Sequence, residues 1–229
     1  MFAVFVAAAA LVTPTGSLEP QTYSGSQYAR SRAAQVRVLN AIVDYQVLTI
    51  QIGEWQWTGI PYGQRTAYAD VEVPSRRVPT HVLTWQGERL SNDVMIELQP
   101  AYPHTVILCG FVTVSGNFQT VVLRDSTAGR PSMSSAQFQF VNAMSDGAAV
   151  KVELDKKPLN GYPVLQFGAS TKVIGYSPDE YEVRLLSAAG QELYKTTFRA
   201  NAGTRYTAVA MGAVGQAANR APRLFFYSF

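Results

Sequence analysis

Polar and apolar residues alternate along two stretches of this chain that nearly copy each other. Residues 34–41 read AQVRVLNA and residues 136–143 read AQFQFVNA. Alternation with period two marks a strand with one face in a core and one face out. Val36 and Val38 are expected on the core face of the first stretch, and Phe138 and Phe140 on that of the second. Both stretches close on Asn-Ala, with Asp44 or Asp146 shortly after. Asn and Asp bond nearby backbone groups and favour turns. A second alternating run follows each turn, at residues 47–52 and 150–154. Each copy therefore opens strand, tight turn, strand.

The spacing between the copies is 136 − 34 = 102 residues, and the correspondence continues downstream. Residues 62–66 (YGQRT) answer to 167–171 (FGAST), residues 80–85 (THVLTW) to 181–186 (YEVRLL), and residues 104–110 (HTVILCG) to 206–212 (YTAVAMG). The last strands are expected at 119–123 and 224–229. About seven short strands per copy, with turn signals every ~8–12 residues, are the pattern of a Greek-key β-sandwich. The repeat is too long for a solenoid, whose period is ~20–50 residues.

These residues resemble the bacterial domain-of-unknown-function family numbered 4397. The opening Val36-Arg37-Val38-Leu39-Asn40-Ala41 with Asp44 is similar to the family's first strand. Gly203-Thr204-Arg205-Tyr206-Thr207 with Gly212 is similar to its closing strand. In copy one His104 stands where the family has Tyr. The resemblance implies tandem extracytoplasmic domains of immunoglobulin-like antiparallel β-sandwich type, and it brings no catalytic residues. The tandem layout is also similar to that of the periplasmic F protein of alginate acetylation.

The expected organisation is an apolar segment and polar spacer over 1–33, a sandwich over 34–125, a linker over 126–135 and a second sandwich over 136–229. Residues 2–12 (FAVFVAAAALV) are uniformly apolar, with Phe2, Phe5 and Leu11 as candidate membrane residues. The run is shorter than the ~20 residues a helix needs to cross a bilayer. It has the length of a signal-peptide hydrophobic region, although no basic residue precedes it. Residues 13–33 have spacer composition. We expect export from the cytoplasm to the periplasm or cell surface and retention near a membrane.

Composition narrows the functions. Charged residues are 15% of the chain, against about 25% in a typical soluble domain. Either a partner covers part of the surface, or Gln, Ser, Thr and Asn supply its polarity. The net charge of +3 is spread thinly, without the concentrated basic face that nucleic acid requires. Cys109 lies in an apolar run and reads as a small core residue. His81 and His104 are the only histidines, and neither has partners at metal-ligand spacing. Asp70 with Glu72 and Asp179 with Glu180 suit solvated loops. No catalytic residue, cofactor or metal is expected.

Trp55 and Trp57 share a strand face and either cap the first core or form an exposed aromatic patch. Trp85 falls in an expected core strand. The first functional reading is a non-catalytic structural or interaction protein, an accessory or scaffold subunit with protein partners in a membrane complex. The alternative is a carbohydrate-binding module or an accessory of exopolysaccharide modification, with Trp55, Trp57, Tyr62 and Tyr68 stacking on sugar rings.

Overall fold

The computed structural model describes residues 32–91, 93–112, 118–125 and 131–228. The candidate segment with Phe2, Phe5 and Leu11, and the first half of the expected linker, lie outside the described residues. The chain is all-β, in two tandem β-domains. Copy one holds β1 (Ala33–Ile42), β2 (Val47–Ile52), β3 (Trp55–Pro61), β4 (Ala69–Glu72), β5 (Arg77–Leu83), β6 (Val94–Glu97), β7 (Pro103–Gly110) and β8 (Gln119–Arg124). Copy two holds β9 (Ala136–Met144), β10 (Val150–Leu154), β11 (Lys157–Pro158), β12 (Ile174–Tyr176), β13 (Glu180–Ser187), β14 (Glu192–Arg199), β15 (Arg205–Gly212) and β16 (Arg223–Ser228).

Each copy forms two four-stranded sheets in the same order. The inner sheets run β4-β1-β7-β8 and β12-β9-β15-β16; the outer sheets run β3-β2-β5-β6 and β11-β10-β13-β14. Two pairs depart from the antiparallel expectation, because β1 runs parallel to β7 and β9 parallel to β15. Parallel neighbours need a long crossover. Here the intervening strands supply it, weaving through both sheets before the chain returns beside its start. The immunoglobulin constant arrangement puts its first, second, fourth and fifth strands in one sheet. These domains share the sandwich architecture with a strand order of their own.

The duplication repeats down to single hydrogen bonds. The Thr66 hydroxyl accepts from the Val38 amide (2.9 Å), and Thr171 from Phe140 (3.0 Å). Buried Asn40 and Asn142 each accept from the amide two residues on, at 3.0 Å. Asp44 accepts from the Val112 amide (3.2 Å) and Asp146 from Val214 (3.0 Å), tying the first turn of each copy to the loop after β7 or β15.

Val36 and Val38 sit between the sheets of copy one, and Phe138 and Phe140 between those of copy two. A third apolar cluster lies between the two inner sheets. Its membership is paired. Leu39, Ala41, Ile107 and Cys109 meet Val141, Ala143, Val209 and Met211, their own counterparts 102 residues on. Val121 and Leu123 of β8 are matched by Phe225 and Tyr227 of β16, and Tyr62 by Phe167. β7 packs on β9 and β1 on β15, which are the same contact with the copies exchanged. The arrangement is a local two-fold, as in a symmetric dimer, where one patch meets itself. The molecule is thus a stack of four sheets: outer, inner, inner, outer.

Two glycines mark the approach. Gly63 (φ 75°) and Gly168 (φ 74°) are counterparts in left-handed conformation. A Cβ on Gly63 would strike Arg223, and one on Gly168 would strike Gln119, the residue at Arg223's position in copy one. The Ser145 hydroxyl also donates across the interface to the Ala41 carbonyl (3.1 Å).

Trp85 corrects the sequence reading. It is 71% exposed. β5 ends at Leu83, and the Gly87 amide closes a turn onto the Thr84 carbonyl (3.1 Å), which carries Trp85 out of the strand.

Phe138 is fully buried, with the rings of Phe140, Tyr176, Tyr181, Phe198 and Tyr206 within 6.3 Å of it, centroid to centroid. Phe138→Ala is expected to cost about 3–5 kcal/mol in a urea melt. A loss below about 1 kcal/mol, the range of surface changes, would show that the strand faces are assigned the wrong way round.

Candidate functional site

The four candidate aromatics are split between two places. Trp55 and Trp57 lie on β3, the free edge of the outer sheet of copy one. They stand opposite Ile52 and Ile50 and so on the core face, with their rings 6.3 Å apart and tilted by 62°. Trp57 packs on the core, whereas Trp55 is 37% exposed. Copy two has no such edge, since β11 is two residues long.

Tyr62 and Tyr68 follow β3 in sequence, but the turn at Gly63 carries the chain across to the inner sheet. Tyr62 packs in the interdomain cluster, and the Arg223 guanidinium lies 5.1 Å from its ring centroid. Burial raises its hydroxyl pKa, and Arg223 and Arg220 offset part of that. Tyr68, 36% exposed, covers a buried polar cluster on the rim of the interface.

That cluster is built around an ion pair. Arg37 Nη2 lies 3.4 Å from Asp125 Oδ2, and both side chains are nearly closed to solvent. Arg37 Nε donates to Thr105 Oγ1 (2.8 Å), and Thr105 donates to Asp125 Oδ2 (2.7 Å). The Tyr68 hydroxyl donates to the same oxygen at 2.5 Å. The Arg37 guanidinium stacks at 4.4 Å from the Tyr68 ring centroid and 4.8 Å from that of Tyr227 in copy two. Arg65 lies 4.5 Å from the Tyr227 ring as well. Cation–π contacts strengthen when they are desolvated, so Tyr227 joins the two domains at this rim.

The electrostatics of the cluster are those of burial. It raises the Asp125 carboxyl above its ordinary value, against the lowering effect of Tyr68, Thr105, Arg37 and His104. Burial also raises Tyr68 and Tyr227, and it lowers Arg65, which the neighbouring Arg37 lowers further. Asp125 Oδ2 accepts from Thr105 and Tyr68 and pairs with Arg37, so these groups are engaged in holding the rim. Sequence reading missed the cluster. Arg37 passed as the outward residue of an alternating strand, and Asp125 passed as a domain end. The available signal was an arginine entering a strand whose outward positions turn apolar at Leu39 and Ala41.

His104 is 2% exposed. Its Nε2 accepts from the Gln99 amide (3.3 Å) while Nδ1 faces the Tyr102 carbonyl (2.9 Å), which sets the neutral tautomer with the proton on Nδ1. Its counterpart Tyr206 accepts from the Asn201 amide (3.0 Å), the bond at the matching position. His and Tyr thus perform one task in the two copies. On the outer face His81 meets Asp93 at 3.1 Å and Arg89 at 2.7 Å. Among the described residues, no group of three or more His, Cys, Asp or Glu is placed to hold a metal ion, and no helix is long and apolar enough to cross a membrane.

The fold and its rim cluster define a tandem β-sandwich protein with the two sandwiches sealed face to face. Residues 34–153 match the family described as Domain of unknown function (DUF4397), more than half of the chain, and the protein belongs to that family. The match opens in β1 and closes in β10, so it takes in copy one and the first two strands of copy two. No curated protein matches the sequence. Among solved structures, one titled "Alpha-glucan recognition by family 41 carbohydrate-binding modules from streptococcal virulence factors" is similar at 13% identity, over 84% of this chain and 96% of that one. Its TM-score of 0.26 is too low to carry an argument about this chain.

Burial lowers the pKa of His104, so the fold favours its neutral form. The unfolded chain then binds the proton more readily. The stability contribution is full above the unfolded value of about 6.5 and is lost as pH falls below it. His104→Tyr, the residue of copy two, is expected to preserve the fold and flatten the loss of stability between about pH 7 and 5. Urea melts across that range check it; an unchanged slope would assign the pH dependence to other groups.

Proposed function

We propose that this protein is a non-catalytic extracytoplasmic interaction protein, a scaffold or accessory subunit of a membrane-associated complex. The observation that carries the reading is the paired interdomain cluster. It uses the inner face of each sandwich to fix the other, which makes the tandem a single block. Such a block keeps its outer sheets and strand edges at fixed distances for partners. The β3 edge presents Trp55, 37% exposed, and tryptophan is enriched in protein interfaces. Residues 2–12, with the polar spacer after them, all precede β1, which suits delivery across a membrane and tethering at one end.

The carbohydrate reading asks for neighbouring open rings. Tyr62 is packed in the interface, Tyr68 is held by Arg37 and Asp125, and Trp57 lies on the core, so the placement of the four does not favour a sugar platform.

Fractionation of the full chain tests the proposal. We expect recovery in the membrane fraction, released by detergent and not by salt. Soluble protein outside the cytoplasm, shortened by about 20 residues as signal-peptide processing would leave it, would remove the tether and keep the export. Soluble cytoplasmic protein with Met1 intact would overturn the reading.

A further inference from the structure

Asn160 is the only asparagine in the chain that precedes a glycine. Asn-Gly marks a turn, and here it forms the middle of one. The Tyr162 amide donates to the Leu159 carbonyl (3.0 Å), which closes the chain around Asn160 and Gly161 just after β11. Gly161 has φ 78°, a conformation that glycine adopts without steric cost. Both central residues are exposed. A Cβ built on Gly161 would meet nothing within 4 Å, so the space around it is open. Among the described residues, no hydrogen bond takes up the Gly161 N–H or the Asn160 carboxamide.

The ends of the turn, by contrast, are anchored. Leu159 is 3% exposed and belongs to the core of copy two, with Tyr162 packed against that core. The Tyr162 hydroxyl accepts from the Lys172 amide (2.8 Å).

The structure itself supplies the contrast. Asp146-Gly147 is the only Asp-Gly in the chain, and it is exposed as well. There the Gly147 amide donates to the Met144 carbonyl (3.1 Å), and both Asp146 oxygens accept from backbone amides, those of Ala148 (3.2 Å) and Val214 (3.0 Å). Asn40 and Asn142 are fully buried and hydrogen-bonded. Asn201 is followed by Ala202 and Asn219 by Arg220, whose side chains crowd the peptide nitrogen.

We propose that Asn160 is a site of spontaneous deamidation, a one-way covalent mark that the protein acquires with age. Asparagine is among the thermolabile residues. The Gly161 nitrogen attacks Asn160 Cγ and loses its proton, the bond from Cγ to the side-chain nitrogen breaks, and ammonia leaves. The product is a five-membered succinimide ring. Water then adds to one of the two ring carbonyls and opens it, to aspartate or to isoaspartate. Water enters, ammonia leaves, and nothing is oxidised or reduced. Either product puts a negative charge on the turn. In isoaspartate the main chain also runs through Cβ, one atom longer between two anchored ends, so this product loosens the hold of Leu159 and Tyr162 on the core.

Incubation of the full chain at mildly alkaline pH, with peptide mapping by mass spectrometry, tests the proposal. The peptide that holds Asn160 is expected to gain one mass unit and to split into aspartyl and isoaspartyl forms. It is expected to do so before any other asparagine changes and before Asp146 isomerises, and faster as pH rises, because the attacking amide must lose its proton. The rate in the folded chain is expected within a few-fold of that in urea. Asn160→Gln, whose extra methylene demands a six-membered ring, is expected to remove the early release of ammonia and to leave the urea melt unchanged. Two results would overturn the proposal: another asparagine that changes first in the folded chain, or an Asn160 that changes in urea and stays intact in the fold, which would show that the turn protects it.

Discussion

The inner sheets have apolar residues on both faces, and the structure follows from covering the second face. In β1 and β7 the core-side residues Val38, Val106 and Leu108 alternate with Leu39, Ile107 and Cys109, which point away from their own sandwich. An isolated sandwich would present those side chains to water at about 25 cal/mol per Å² of apolar surface. The second copy carries apolar residues at the same positions, Val141, Val209 and Met211. The available solution is for each patch to cover the other about a local two-fold. Gly63 and Gly168 allow the close approach, and the Arg–Tyr stacks close the rims.

Around that shared constraint the copies have diverged where the interface does not hold them. Copy one fills its rim with a buried ion pair, and copy two has Gln139 in place of Arg37 and Val173 in place of Tyr68. Copy one extends β3 with two tryptophans, whereas copy two turns at Asp155 and Lys156, both at positive φ, and forms only a two-residue strand. At His104 and Tyr206 the residue changed and the hydrogen bond stayed. The outer sheet of copy two carries partly exposed ion pairs, Lys195 with Glu182 and Arg184 with Glu192 and Glu153. Such pairs contribute little each and keep that face solvated.

Period-two alternation made the strands legible, and the repeat made the tandem legible. The four-layer stack was also written in the sequence, less openly. The unbroken apolar runs Val106-Ile107-Leu108-Cys109 and Ala208-Val209-Ala210-Met211 are what a strand buried on both faces looks like. Counting only the inward face hides the partner sheet. Other features were not legible from local pattern at all. Arg37 and Asp125 meet across strands far apart in sequence. Tyr62 and Tyr68 lie close to Trp57 along the chain and change sheets at one glycine turn. Trp85 was misplaced because an apolar residue at a strand end looks the same whether the strand continues or a turn begins.

Cys109 reports on the interface directly. It is the only cysteine, it sits in the interdomain cluster and not in the core of its own sandwich, and burial pushes its thiol up to about 12. Alkylation of the full chain should be more than about a hundredfold slower than in denaturant, since the thiol reacts only when the domains open and opening of packed structure costs several kcal/mol. A rate within a few-fold of the unfolded chain, with the circular dichroism of folded sandwiches intact, would show two separate domains and contradict the sealed stack.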